Sequence, residues 1–358
     1  MSIRGIMIGI ITVRAPQLFQ ISVVRRVQKC YIWDHFHCWE SFVRKFLQEK
    51  MNWTLRRSTR PGKKVPDGVT YILTNAFFRL VHTISENSIT IELCVNTDQT
   101  LVIYAAGASD TYAPKGSKQV DVVGKDEKRG FTLVVGVSMS GDVLPFQAVY
   151  AGSTSRSLPS PAASDYHKAT TTLGFHFKSG GSNHWSTLST MQSYVQHILV
   201  PYFEGHRKDQ NQICIWQIDY WSVHQSAEFR HWMHNTYPWI QIDYIPANCT
   251  GIFQPCDVGI QCVLKLAIKR SALQDIINHT MEQLGHGVEP SEVTFEKRLG
   301  VVRDCSIRWL VNGYEAINNP ELVKKVISMD ILSFSYLPDI FTGFSTLFYW
   351  TEGLQSLI

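Results

Sequence analysis

Three aspartates each stand where an apolar run stops: Asp98 in IELCVNTDQT, Asp219 in ICIWQIDYWSVH and Asp257 in IDYIPANCTGIFQPCDVG. Short runs rich in β-branched residues are the pattern of buried strands. A carboxylate at the end of such a strand is held at the edge of a sheet. Three of them meet only if the chain returns to the same edge each time. The stretch between Asp219 and Asp257 has room for one helix, one strand and a loop, which is such a return. Carboxylates a few ångströms apart raise one another's pKa, so a cluster stays ionised only beside a cation. Magnesium, or manganese, suits an all-oxygen set, held by a few carboxylates, waters and substrate phosphates. Taken singly, each aspartate is better explained as a turn or helix N-cap residue, and Asp257 in PCDVGIQ is a plausible N-cap by itself. Taken together on their strands, they favour a metal site.

The rest of the chain constrains the context. With 358 residues it accommodates one large domain with appendages, or two domains. Hydrophobic residues make up 44% and charged residues 18%, the balance of a folded chain rather than a disordered one. The net charge is only +4, so any basic character that matters is local. Eight cysteines are scattered with no CxxC pair, which reads as free thiols in a reducing compartment. Cys94 and Cys214 fall inside expected strands as small apolar residues. Cys249 and Cys256 lie near Asp257 without suitably spaced histidines, so core packing is the expected role. No apolar stretch reaches the roughly 20 residues of a membrane span. GIMIGIITV near the N-terminus is shorter still and lacks a small-x-small cleavage site, so it reads as a strand or an ill-defined leader.

Along the chain, CWESFVRKFLQ carries a helical stripe and runs into MNWTLRRSTRPGKK. Arg56, Arg57, Arg60, Lys63 and Lys64 form a basic arm there, suited either to phosphate contact or to a solvated linker. Residues 67–87 read as a helix. SITIELCV and TLVIYAAG read as two strands, and FTLVVGVSMSGDVLPFQAVYAG as a hairpin turning at Ser140, Gly141 and Asp142. Residues 152–184, rich in Ser, Pro, Gly and Thr, read as a long loop. Helix, strand, helix, strand and a long helix from Asp257 follow, with further helices over 296–318 and 321–328. Hairpins first and parallel crossovers later give an α/β fold, a mixed five-stranded sheet flanked by helices. If the first and fourth strands are parallel neighbours, Asp98 and Asp219 sit side by side. Two divalent ions about 3.5–4 Å apart at such a site would support in-line phosphodiester hydrolysis or strand transfer.

Other chemistries are weaker. His224, His231 and His234, placed on one helix, would span about 15 Å, too far for one zinc ion. A nucleophile elbow G-x-S-x-G, a P-loop and a dinucleotide fingerprint are all missing. Among the tryptophans, Trp221 beside Asp219 is the one of interest, while His184 and Trp185 open a helix that Ser186 or Thr187 would cap.

VNTDQT, QIDYWSVH and the long YIPANCTGIFQPCDVGIQ resemble the three signatures of DDE superfamily endonucleases, the catalytic domains of pogo/mariner-type transposases. GSKQVDVVGKDEKRGFTLVVGVSMSGDVLPFQAVYAG adds to the likeness, which runs from about Phe46 to about Tyr336. The resemblance implies an RNase H-like fold and metal-dependent DNA cleavage and strand transfer. It implies Asp98, Asp219 and Asp257 as the catalytic and metal-binding trio, the third being Asp as in the pogo branch. It implies a supporting or phosphate-orienting role for His224, DNA as partner, a possible homodimer on DNA, and action in the nucleus. The matching domain organisation is an unassigned leader (1–37), the last part of a helix-turn-helix region with its basic arm (38–66), the catalytic domain (67–330) and an aromatic tail (331–358). The leader and tail match nothing in the family, so a truncated copy is the expectation. The alternative is a catalytically idle DNA-binding relic.

Overall fold

The computed structural model describes residues 66–104, 129–289 and 298–332, with Lys45, Glu49, 292–294 and 296. The chain divides into two compact units, Met1–Lys63 and Lys64–Ile358. In the first, the described Lys45 and Glu49 form an exposed i,i+4 ion pair at 3.8 Å. The basic arm of Arg56, Arg57, Arg60, Lys63 and Lys64 lies outside the described residues, as does the tail beyond 332.

The second unit begins with α1 (Val69–Glu86), whose Leu73, Ala76 and Phe77 face inward at helical spacing. Gly68, at φ 70°, supplies the left-handed turn that leads into it. Among the described residues the sheet is mixed and six-stranded. Its strands in chain order are β1 (Cys94–Ile103), β2 (Gly130–Ser138), β3 (Gln147–Tyr150), β4 (His176–Ser179), β5 (Cys214–Ile218) and β6 (Ile240–Tyr244). Their spatial order is β4-β3-β2-β1-β5-β6. β1, β2 and β3 are antiparallel neighbours, while β5 runs parallel to β1 and β6 parallel to β5. That is the RNase H-like arrangement, with β4 added at one edge.

Helices cover both faces. On one side α2 (Leu188–Tyr194) continues through a π-helical turn (Val195–Leu199) into α3 (Val200–His206). The short α4 (Ser222–Gln225) and α5 (Ala227–Thr236) follow β5. On the other side, after α6 (Thr250–Phe253) and a π-helical turn (Cys256–Ile260), come α7 (Gln261–Gly285), α8 (Leu299–Ile317) and α9 (Pro320–Leu332). β2 is buried along its whole length because it feeds both cores. Phe131, Leu133, Val135 and Val137 pack with Leu264, Ile307 and Leu310, while Val134 packs with Met191, Tyr194 and Trp216. Each such side chain contributes about 1.5–3 kcal/mol by leaving water. Gly136 stands where a Cβ would come 2.6 Å from the Tyr194 hydroxyl, so the close approach of α2 requires glycine there.

Four sequence expectations need correction. SITIELCV and TLVIYAAG do not form two strands: Cys94–Ile103 is one strand that runs through the polar NTDQT. Its polar residues stay in the sheet because they have partners, Thr97 Oγ1 accepting from Trp216 Nε1 at 3.0 Å and Asn96 Nδ2 donating to Gln217 Oε1 at 3.2 Å. Asp98 is therefore inside β1, opposite Val135, and not at a strand end. The sheet has six strands rather than five, because HFKS within the supposed loop 152–184 pairs with β3. SVHQSAEFRHWMH is two helices, broken where Ser226 caps α5 by accepting from Phe229 N at 3.2 Å. The break separates buried His224 from exposed His231 and His234.

Candidate active site

The parallel register carries Asn96 opposite Gln217. Two residues further along each chain stand Asp98 and Asp219, so both belong to one end of the β1/β5 pair. Asp98 is 9% exposed. Asp219 lies one residue beyond β5 and is 31% exposed at its side chain. Asp257 sits half-buried in the first turn of the π-helical segment that leads into α7. Its place is set by two side chain–backbone bonds between its turn and β1 and by one backbone bond within the turn. Gln254 Nε2 donates to the Thr97 carbonyl at 3.2 Å, Cys256 N donates to Asn96 Oδ1 at 3.2 Å, and Asp257 N donates to the Gln254 carbonyl at 2.9 Å.

These placements bring the three carboxylates within interaction range. Burial pushes the Asp98 carboxyl well above the usual carboxylate range, and the neighbouring charges of Asp257 and Asp219 push the same way. Gln261 Nε2 donates to Asp98 Oδ2. His224, 2% exposed at its side chain, places Nδ1 2.9 Å from Asp219 Oδ1 and 3.2 Å from the Asp219 carbonyl. Gln99 Nε2 approaches the other ring nitrogen at 3.4 Å. These partners set the tautomer: Nδ1 donates to Asp219 and Nε2 accepts from Gln99. Trp216, Trp221 and Phe229 surround the ring, with centroids 5.5–6.3 Å away, and the Tyr244 hydroxyl donates to the His224 carbonyl at 2.7 Å.

The donor set is all oxygen and carries uncompensated crowding, which suits a hard divalent cation. Among the described residues, no group of three or more His, Cys, Asp or Glu could hold a metal ion as the side chains stand. Magnesium does not need one, because it is usually held by one or two carboxylates plus waters and substrate phosphates. Asp98 and Asp219 each have one oxygen engaged, by Gln261 and His224. The residues fit the ion by chemistry and leave its coordination open.

Among the described residues, no cysteine thiol joins the carboxylates. Cys94, Cys214, Cys249 and Cys256 are buried thiols outside any disulfide. Burial raises the Cys94 thiol far above its usual value and pushes that of Cys214 up to about 12. Cys256 Sγ packs onto β1 and β2, 3.7 Å from the Asn96 carbonyl and 3.8 Å from that of Val135. Trp216 and Trp309 are core residues. Trp185 is exposed beside His184, and the helix behind it is capped by Thr187 in a reciprocal box with Thr190.

Sequence reasoning missed the amides around the carboxylates: Asn96, Gln217, Gln254 and Gln261. A signal was present. Asn96 precedes Asp98 by two residues and Gln217 precedes Asp219 by two, which puts each pair on one face of its strand. Gln261 follows Asp257 by four, one helical turn.

A model of the DDE superfamily endonuclease family matches residues 128–323, which include Asp219 and Asp257 but not Asp98. No curated protein matches the sequence. Among solved structures, the Mos1 strand transfer complex is similar at 13% identity with a TM-score of 0.46, covering 82% of this chain and 68% of that one. The Mos1 mariner paired end complex with Mn gives 12% and 0.41, covering 81% and 70%. The catalytic domain of Mos1 mariner transposase gives 12% and 0.35, covering 76% and 98%.

Proposed function

The chain belongs to the DDE superfamily endonucleases, and from that premise we propose that it is a transposase-type enzyme that cleaves DNA phosphodiesters and transfers the strand. The observation that carries the proposal is that Asp98 and Asp219 stand at one end of the parallel β1/β5 pair, with the turn bearing Asp257 bonded to Asn96 and Thr97 of β1. Asp98, Asp219 and Asp257 would hold magnesium or manganese. Such an ion supplies an activated water or 3′-hydroxyl and neutralises charge on the leaving oxygen. The chain's own residues supply position. His224 holds Asp219 through Nδ1–H, Gln261 holds one oxygen of Asp98, and the bonds from Gln254 and Cys256 fix the turn that presents Asp257. The proposal extends to DNA as substrate, engaged through Arg56, Arg57, Arg60, Lys63 and Lys64, to a homodimer on that DNA, and to action in the nucleus.

Asp219→Asn is expected to reduce magnesium-dependent nicking of supercoiled DNA by about a thousandfold, the scale of removing one key electrostatic group from an active site. The fold, followed by circular dichroism, should persist. Equal nicking by wild type and variant would sink the proposal. That no group of three such side chains among the described residues could hold a metal ion favours one second reading, a catalytically idle DNA-binding protein. It expects salt-sensitive DNA binding through the basic arm with no cleavage by either protein.

A further inference from the structure

Beneath the carboxylates lies a second row of polar side chains, which crosses three neighbouring strands. Asn96 on β1 stands opposite Gln217 on β5, and Gln217 stands opposite Asp243 on β6. The three are 6%, 9% and 8% exposed. They are joined in sequence. Asn96 Nδ2 donates to Gln217 Oε1 at 3.2 Å, and Gln217 Nε2 donates to Asp243 Oδ2 at 3.3 Å. At the outer end, Arg79 of α1 grips the other oxygen of Asp243, Nε at 2.8 Å and a terminal nitrogen at 2.6 Å. That nitrogen also donates to the Tyr244 carbonyl at 2.9 Å. At the inner end, Asn96 Oδ1 accepts the backbone N–H of Cys256, the residue before Asp257.

Each amide in this row has one orientation open to it. Asp243 accepts only, so Gln217 must turn its NH₂ toward it and its oxygen toward Asn96. Asn96 must then turn its NH₂ toward Gln217, which leaves its oxygen for Cys256 N–H. The ion pair at the surface end thereby fixes the polarity of the acceptor at the site end. An apolar sheet would hold the strands together equally well. What the row adds is a fixed acceptor for one backbone N–H beside an acidic residue.

We propose that Asn96 is a positioning residue for Asp257, held in the required orientation by Gln217, Asp243 and Arg79. This rests on the reading of Asp98, Asp219 and Asp257 as a cation site. In that role Asn96 sets the height of the Cys256–Asp257 turn against β1, so that the Asp257 carboxylate meets Asp98. Arg79, whose side chain is 52% exposed, is the end of the row within reach of solvent and other molecules.

The test combines amide hydrogen exchange at Cys256 and Asp257 with calorimetric Mn²⁺ titration of the full chain. Asn96→Ala is expected to speed exchange of the Cys256 N–H at least tenfold and to weaken Mn²⁺ binding about tenfold. Gln217→Ala frees the Asn96 amide to flip and should give a smaller rise in exchange; it serves in place of Asn96→Ala if that variant does not fold. Ile215→Val, in the same layer of the core, should lower the melting temperature while leaving both readouts unchanged. Unchanged Cys256 exchange in the Asn96→Ala or Gln217→Ala protein would overturn the proposal. Raised exchange with unaltered Mn²⁺ affinity would also overturn it. If wild type binds no Mn²⁺, the cation reading fails by itself, and the exchange result alone decides whether Asn96 sets the turn.

Discussion

Asp98 and Asp243 are both buried aspartates in one sheet, on strands separated only by β5. Burial raises both carboxyls above their ordinary range. Beyond that their surroundings are opposite. Asp243 has an arginine and a glutamine pointing at it, and Arg79 works against the upward push. Asp98 accepts from the Gln261 amide and from the Gln99 backbone, which works against the push, but it also faces two further carboxylates, which add to it. A buried charge that keeps its counter-ion is part of the architecture. One surrounded by like charges destabilises the fold unless something from outside balances it. Asp243 is thus explained by the chain itself, whereas under the proposed function Asp98 is balanced by a bound cation.

Breaking the Asp243 side should give the larger change in stability. Arg79→Ala leaves a buried carboxylate with one glutamine donor. Allowing for the half-exposed arginine, we expect a loss of about 1–2 kcal/mol in urea unfolding. No loss would mean that Asp243 is already neutral, and the contrast with Asp98 would disappear.

The Asp98 side should respond with the opposite sign. In metal-free protein, Asp98→Asn removes a crowded carboxyl, and the melting midpoint should rise by about 2–4 °C, the effect of roughly 1 kcal/mol on a domain of this size. The pH dependence follows. In the unfolded chain Asp98 ionises near pH 4, and in the folded chain only at a higher pH. Between those values the folded state binds more protons, so stability falls as pH rises through that window. Its contribution is complete below the unfolded value. Metal-free wild type should therefore lose stability from about pH 4 upward, and Asp98→Asn should flatten that part of the curve. A variant that melts lower than wild type at neutral pH would contradict the crowding.

Much of this was readable in the sequence, for reasons specific to particular residues. Apolar runs gave β2, β5 and β6, and the crossover between Asp219 and Asp257 returned the chain to one end of the sheet. The extent of β1 was not readable, because NTDQT looks like a break until Trp216 and Gln217 are seen to satisfy it. β4 was hidden because its four residues, HFKS, lie half-buried in a Gly- and Ser-rich stretch. The break at Ser226 was masked by the apolar stripe on either side. The amide row was the largest omission: single Asn and Gln residues on strands carry no period, and only the register lines them up.

The most direct test of the central claim is calorimetric titration of Mn²⁺ into the full chain, comparing wild type with the Asp98→Asn variant. We expect wild type to bind and to melt at higher temperature with the ion present, and the variant to lose at least tenfold in affinity and most of that thermal shift. Equal heats and equal shifts in the two proteins would contradict the account, because the crowded carboxyl at Asp98 would then have no part in holding a cation.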